Sequence, residues 1–429
     1  MPDLVTNQKS KIKDHQSSMS NHTSCRVCGD RLPSPFLDLG SMPLANSFLA
    51  SPEEFSGEQT FPLALTSCGT CGLVQLTYVV PAETLYRDYI YVSSTSDAVR
   101  EHGRTLAARF RERYGLTPSD LVVEIASNDG TVLKAFQGLG LKVLGVEPAR
   151  NIAQIAVTAG VPTVPEFFTG DLGASLVAAP HQPAAVILAR HVFAHVDDVH
   201  DFLAGAAALL DDRGVLAIEV PYLGDLLANG EFDTVYHEHL SYFALSQFVR
   251  LCERHDLRVV DVDRIELHGG SIIVHIRKPK WPVSDAVTRL LADEASSQMW
   301  SVEQLQRFGE RVARWKREFE SSVAGVKAKG NIIVGYGAAA KANTLLNYCP
   351  DVARSLVCIL DRSPHKQGKY TPGTHTLVRP VEDWRSLGAT HMAILAWNFR
   401  HEIMRQMQPF ADAGGSFIVP LPKVEIIPA

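Results

Sequence analysis

Tyr236-His237-Glu238-His239 sets a phenol, two imidazoles and a carboxylate side by side, a group suited to moving protons near neutral pH. A metal reading is weaker, because H-E-H lacks the i, i+4 spacing that aims two imidazoles at one ion. Base chemistry is the better use: His239 as the base, Glu238 holding its ring or supporting the imidazolium, and Tyr236 donating to a developing enolate oxygen. The bland alternative is a polar loop hydrogen-bonded to itself. A further histidine, His195, follows the apolar run Ala184 to Ala189, where a parallel sheet ends its strands and receives ligands. Cys25-x-x-Cys28 and Cys68-x-x-Cys71, each followed by glycine, offer four soft ligands in two knuckles, the pattern of a closed, structural zinc site.

A third constellation begins at Leu121-Val122-Val123-Glu124-Ile125, an apolar run that meets the turn Ala126-Ser127-Asn128-Asp129-Gly130 and opens a helix. The next strand, Lys142 to Val146, ends on Glu147, about where an acidic ribose ligand belongs. This loop has one glycine where a dinucleotide fingerprint has three, so a cofactor without phosphates fits it better. S-adenosylmethionine is such a cofactor: Glu124, Asn128 and Asp129 suit its amino-acid end and Glu147 its ribose. His191, just after the fourth strand, is placed on the same side.

The elements that must position these groups can be read from periodicity. Asp97 to Tyr114 is helical, with Val99, Leu106 and Phe110 on one face, and a helix runs from about Ala149 to Ala159. Ala184 to Ala189 and Val215 to Val220 are the fourth and fifth parallel strands, and Leu257 to Leu267 with Ser271 to Ile276 complete the sheet. Val283 to Ala328 holds a long helix with an apolar stripe from Phe308 to Val323. It leads into a second strand-glycine-helix unit, Asn331 to Lys341, whose next strand, Ser355 to Leu360, ends on Asp361. An anion can approach that helix start, with Lys341, Lys366 and neighbouring cations adding charge and Asn398 at another strand end. NAD is the rival ligand there. Tyr78, Tyr86, Tyr89 and Tyr91 line the approach to the first unit, and a loop is expected around Leu39 to Phe61 between the knuckles.

With 429 residues, two or three domains are expected, and 46% hydrophobic against 21% charged residues is ordinary globular composition. A net charge of −6 argues against a sequence-independent nucleic-acid binder. No apolar run is long enough to span a bilayer, and the polar start, Met1 to Asn21, lacks a signal core. Seven cysteines, four of them in metal-like pairs, suit a reducing, cytoplasmic setting.

The chain resembles the S-adenosylmethionine-dependent sugar C-methyltransferases of deoxysugar pathways. The likeness spans about residues 24 to 429 and rests on the two C-x-x-C pairs, EIASNDG, GVEPA, FAH, YHEHLSYF, HGGS, GYGAAAK and DRSPHKQGKYTPG. It implies an α/β protein: a leader (1–23), a zinc-binding domain (24–95), a central class I methyltransferase Rossmann-like domain (96–282), and a linker helix with a C-terminal Rossmann-like substrate domain (283–429). The implied substrate is a nucleotide-linked 4-keto-6-deoxysugar, methylated at C3 by a monomer without nucleic-acid or membrane partners. By the same matching His239 is the base, with Tyr236, Glu238 and His195 around it. Tyr336 reaches in from the C-terminal domain, and Tyr91, with Tyr89 as the alternative, reaches in from the first. Lys341, Asp361, Lys366 and Asn398 attend the substrate. His191 departs from the pattern, which has asparagine. The alternatives are an NAD-dependent sugar-nucleotide oxidoreductase and a non-enzymatic zinc-ribbon adaptor.

Overall fold

Apolar and polar residues alternate from Leu37 and again from Thr60, and these two stretches pair with each other. The computed structural model describes residues 20–87, 92–95, 97–178, 182–266 and 269–428. Strand β1 (Ser20–Asn21) pairs antiparallel with β5 (Tyr78–Val79), so the last residues of the stretch expected to be a leader belong to a sheet. A second sheet joins β2 (Leu37–Pro43), β3 (Thr60–Ser67) and β4 (Val74–Leu76), all antiparallel. The loop expected from Leu39 to Phe61 is therefore shorter, because both its ends are hydrogen-bonded into β2 and β3. Its middle, 44–59, crosses to other parts of the molecule. After β5 comes the short helix α1 (Ala82–Tyr86). Tyr89 and Tyr91 lie outside the described residues.

Helix α2 (Asp97–Tyr114) matches its periodicity and leads to β6 (Leu121–Ile125), α3 (Thr131–Gly138), β7 (Lys142–Val146) and α4 (Arg150–Thr158). Then follow β8 (Thr163–Val164), α5 (Gly170–Ser175), β9 (Ala184–Arg190), α6 (Val199–Leu209) and β10 (Leu210–Pro221). These five strands are parallel, in the order β10-β9-β6-β7-β8. Every residue of β6 is buried, as expected of a central strand covered on both faces. Helix α7 (Leu223–Asn229), β11 (Ser241–Tyr242) and α8 (Leu245–Glu253) come next. Strands β12 (Arg258–Ile265) and β13 (Ser271–Arg277) close the sheet, β13 antiparallel to β10. Strand β11 belongs elsewhere: it pairs with β4 and completes the sheet of the cysteine region.

The helical segment from Val283 is two helices, α9 (Asp285–Ser297) and α10 (Val302–Ala328), parted at Gln298, whose φ of +47° ends the first. The stripe from Phe308 to Val323 is buried, and the Trp315 indole donates to the Pro420 carbonyl. Strand β14 (Ile333–Tyr336) and α11 (Ala340–Tyr348) begin the last unit, with β15 (Leu356–Leu360), β16 (Val378–Arg379), β17 (His391–Ile394), β18 (Ser416–Val419) and β19 (Glu425–Ile427). Their order, β16-β15-β14-β17-β18-β19, reverses direction at β14 and is parallel except at the last pair, the arrangement of a doubly wound sheet. Among the described residues no helix is long and apolar enough to cross a membrane.

Candidate active site

The segment from Glu231 to Phe243 is held from three sides. Strand β11 ties it to β4, Tyr222 bridges Phe243 at the end of β10, and Asp233 accepts a 2.6 Å hydrogen bond from the Trp397 indole of the last unit. A carbonyl oxygen only accepts, so the 2.8 Å contact of His239 Nδ1 with the Thr234 carbonyl fixes the proton on Nδ1. The lone pair is then on Nε2, where the Tyr236 hydroxyl donates to it at 2.9 Å. Burial pushes the His239 imidazolium down to about 3, with the Lys341 charge adding to the effect, so the ring is neutral. Burial, helped by the Glu238 charge, raises the Tyr236 phenol well above its usual range. His195 lies 5.0 Å from His239, ring to ring, and burial keeps it neutral too.

Glu238 was expected to hold the His239 ring, but the Thr234 carbonyl takes that place. The Glu238 carboxylate accepts from Asn46 Nδ2 at 2.6 Å, and its backbone carbonyl accepts from the Tyr86 hydroxyl at 3.2 Å. Tyr86 also stacks on His195, with centroids 5.6 Å apart, so it is the described tyrosine that the first domain brings to this group. His237 faces away, against the carbonyls of Phe61 and Pro62.

At the carboxyl edge of the parallel sheet, Ala126, Asn128 and Gly130 all have positive φ, so the chain turns tightly after β6. Burial raises the Glu124 carboxyl to about 8; Arg190, 3.6 Å away, opposes the rise. Glu124 Oε2 and Ser127 Oγ are buried without a hydrogen-bond partner. Such a pair fits an ammonium donor, as S-adenosylmethionine carries on its amino-acid end. Glu147 is buried and accepts the amides of Asn128 and Ala149, one on each oxygen, which leaves a second lone pair on each for ribose hydroxyls. Asn128 and Asp129, expected at the amino-acid end, accept the Ser93 and Ser94 amides and so fasten the turn that precedes α2. His191 turns back at φ +49° to place Nε2 2.9 Å from Glu219. Glu219 was not foreseen. Burial works against its charge, but Arg190, His191 and His102 together hold it well below the usual carboxylate range. A lone acid inside the apolar run Val215 to Val220 was the signal.

In the last unit, Asp361 accepts the Ala338 and Ser363 amides, and Lys366 donates to the Ala338 carbonyl, so both shape the glycine turn. Lys341 does not join them. Its ammonium lies 4.0 Å from Glu231 and 5.3 Å over the Trp397 ring, 15% exposed and without a hydrogen-bond acceptor. Burial lifts Glu231 to about 7, which the Lys341 charge opposes. Tyr336, expected to reach the reaction centre, donates its hydroxyl to Gln406 of its own unit, because β14 ends with that side chain under the helix that follows β17. Asn398 sits half-buried in the turn after β17, beside Trp397. Tyr91 lies outside the described residues.

Cys25, Cys28, Cys68 and Cys71 bring their sulfurs within 4.8 Å of one another, with Cys25–Cys71 and Cys28–Cys68 each at 3.4 Å. Zinc–sulfur bonds of about 2.3 Å in a tetrahedron need sulfurs roughly 3.8 Å apart, so the cluster fits one zinc ion. Gly29 and Gly72, at φ +83° and +73°, make the two turns, and their amides bond the Cys25 and Cys68 carbonyls. Arg26, inside the first knuckle, is buried and bonds Asp197 at 2.9 Å and the Leu240 carbonyl at 3.2 Å, which joins the zinc region to the base segment.

Three family models match in succession: "Putative zinc binding domain" over 25–86, "Methyltransferase domain" over 99–262 and "C-methyltransferase C-terminal domain" over 266–422. The C-methyltransferase NovU of Streptomyces niveus is 38% identical over 407 residues, 94% of this chain and 97% of that one. Magnesium protoporphyrin IX methyltransferase from Synechocystis PCC 6803, solved with S-adenosylhomocysteine, is 11% identical over 46% of this chain and 91% of its own, at a TM-score of 0.34. The CcbJ methyltransferase from Streptomyces caelestis is 16% identical over 41% and 89%, at 0.32.

Proposed function

The chain belongs to the C-methyltransferases and is an S-adenosylmethionine-dependent enzyme with a zinc-binding region, and from that premise we propose that it methylates C3 of a nucleotide-linked 4-keto-6-deoxysugar. The oxidoreductase and adaptor readings fall with that membership. One observation carries the proposal: His239 is a neutral imidazole with its proton committed to Thr234 and its lone pair on Nε2, the state a general base needs. A carbon acid weak enough to require such a base becomes accessible when a ketone stands next to it, because the carbanion delocalises as an enolate.

In this reading His239 Nε2 takes the C3 proton, and the Tyr236 hydroxyl, which occupies Nε2 at rest, turns to the ketone oxygen and donates to the enolate. Glu238 sits beside the phenols as the negative charge that favours the imidazolium once formed. His195 packs between Tyr86 and His239 and is the second neutral imidazole at the proposed reaction centre. S-adenosylmethionine, when bound, supplies the methyl that the nucleophilic carbon takes, and Glu124, Ser127 and Glu147 are the residues that would hold it. Asp361 and Lys366 build the turn that receives the nucleotide, with Lys341, Asn398, Tyr336 and Tyr91 as further substrate contacts. The proposed units are 24–95, 96–282 and 283–429, working as a monomer in the cytoplasm, where seven unpaired cysteines stay reduced.

The test is turnover and proton exchange. One of a panel of 4-keto-6-deoxyhexoses linked to different nucleotides should gain one methyl with wild-type enzyme. His239→Asn should lower kcat by about a hundred- to ten-thousandfold while S-adenosylmethionine affinity stays near wild type. With S-adenosylhomocysteine bound, wild type should wash solvent deuterium into C3 above the spontaneous rate. Wild-type exchange and methylation by His239→Asn would remove the base assignment.

A further inference from the structure

Between the two zinc knuckles the chain leaves β2 at Pro43 and returns at Thr60. It spans the intervening residues without burying them in its own sheet. Instead it crosses to the last unit. Asn343 of α11 donates to the Ala45 carbonyl at 2.7 Å, and Leu49 exchanges both backbone hydrogen bonds with Tyr370. Farther on, Glu58 accepts the Gly373 amide and lies 2.9 Å from His375 Nε2, while Phe55 stacks flat on the His375 ring at 3.8 Å. A strap pinned at Ala45 and again at Leu49 holds what lies between with little freedom. Asn46 lies between, and its amide is 2.6 Å from the Glu238 carboxylate.

We propose that Asn46 is a positioning residue for Glu238, so that the zinc-binding region, through its strap, sets the carboxylate of the proton-transfer group. The inference rests on the function proposed above. An amide N–H donates to a carboxylate oxygen in a bond of fixed direction, and at 2.6 Å the Asn46 bond sets how the Glu238 carboxylate is turned, while the Thr234 carbonyl holds His239 Nδ1. The bond keeps the carboxylate turned toward the strap. It also gives α11 and the loop 361–376 a mechanical link to Glu238, because Asn343 of the helix and Tyr370, Gly373 and His375 of the loop pin the strap.

Three substitutions at one position separate positioning from space-filling. Asn46→Gln keeps a donor amide and should retain kcat within a few-fold. Asn46→Ala removes the donor and should lower kcat about ten- to a hundredfold. Asn46→Asp keeps the shape but turns a donor into a carboxylate facing Glu238, so it should lose the most. In all three the KM for S-adenosylmethionine and the zinc content should match wild type. Methyl transfer to the nucleotide-linked 4-keto-6-deoxyhexose that wild type takes from the same panel is the readout, with His239→Asn run beside them. If Asn46→Asp turns over like wild type while His239→Asn is inactive, the strap assignment is wrong and the function stands. An Asp variant better than the Ala variant means that shape alone matters, which also overturns it. If His239→Asn is active, or wild type methylates no such sugar, the function reading fails first.

Discussion

In the proposed role at the cofactor's ammonium, Glu124 should couple cofactor binding to pH. Its carboxyl is raised to about 8 by burial, so at pH 7 it is mostly protonated, and an ammonium placed against it would draw it to the ionised form. Binding of S-adenosylmethionine at pH 7 should therefore release close to one proton, and affinity should rise as pH approaches about 8. Calorimetry in two buffers of different ionisation heat reads the proton directly. Glu124→Gln should abolish the release and flatten the pH dependence; an unchanged release places the titrating group elsewhere. The stability sign is opposite: a carboxyl raised from 4.5 to about 8 favours the folded state most below 4.5 and loses that contribution as pH rises through 8. His239 runs the other way. Depressed from 6.5 to about 3, it contributes stability above 6.5 that is lost as pH falls toward 3. Because the ring stays neutral, kcat/KM should show no acid limb from His239 near 6.5; a limb there that His239→Asn removes would contradict the buried setting.

At the scale of elements, the strand that follows the base is the critical one. Strand β11 leaves the segment it belongs to in sequence and pairs with β4, whose chain runs straight on from the Cys71 knuckle. The cysteine knuckles and the strand beside His239 therefore share one sheet. Structural zinc in small loop-rich units typically contributes roughly 10 kcal/mol or more, so Cys71→Ser or a strong chelator should unfold the knuckles and release β11. Hydrogen exchange at Ser241 and Tyr242 should then accelerate together with loss of turnover. Activity that survives with less than half an equivalent of zinc would show that β11 holds without the metal.

Across the whole molecule, the three units meet at one short segment, and the bonds there bridge long gaps in sequence. The Trp397 indole on Asp233 is the bond from the last unit, and Asp233 is fully buried with Oδ1 lacking any partner. Trp397→Phe keeps the ring but deprives this carboxyl of its indole donor, which should cost about 1 to 3 kcal/mol in urea unfolding. A cost below about 0.5 kcal/mol would mean that the carboxyl is neutral and content without it. Much of this protein was legible in its residues. The cysteine pairs, the apolar run ending at Glu124 and the strand ending at Glu147 are local patterns, and local backbone geometry suffices to form them. His239 was legible as a candidate base because histidine chemistry is intrinsic to the side chain. What holds its ring was not: the neighbouring Glu238 looked like the partner, but adjacent side chains diverge, and the Thr234 carbonyl returns by a turn that only the folded segment makes. The same holds for Asn46 on Glu238, Tyr86 on His195 and Lys341 beside Glu231. Those contacts depend on how three sheets pack, and packing is decided by the sum of many buried surfaces, so no local pattern in the sequence records it.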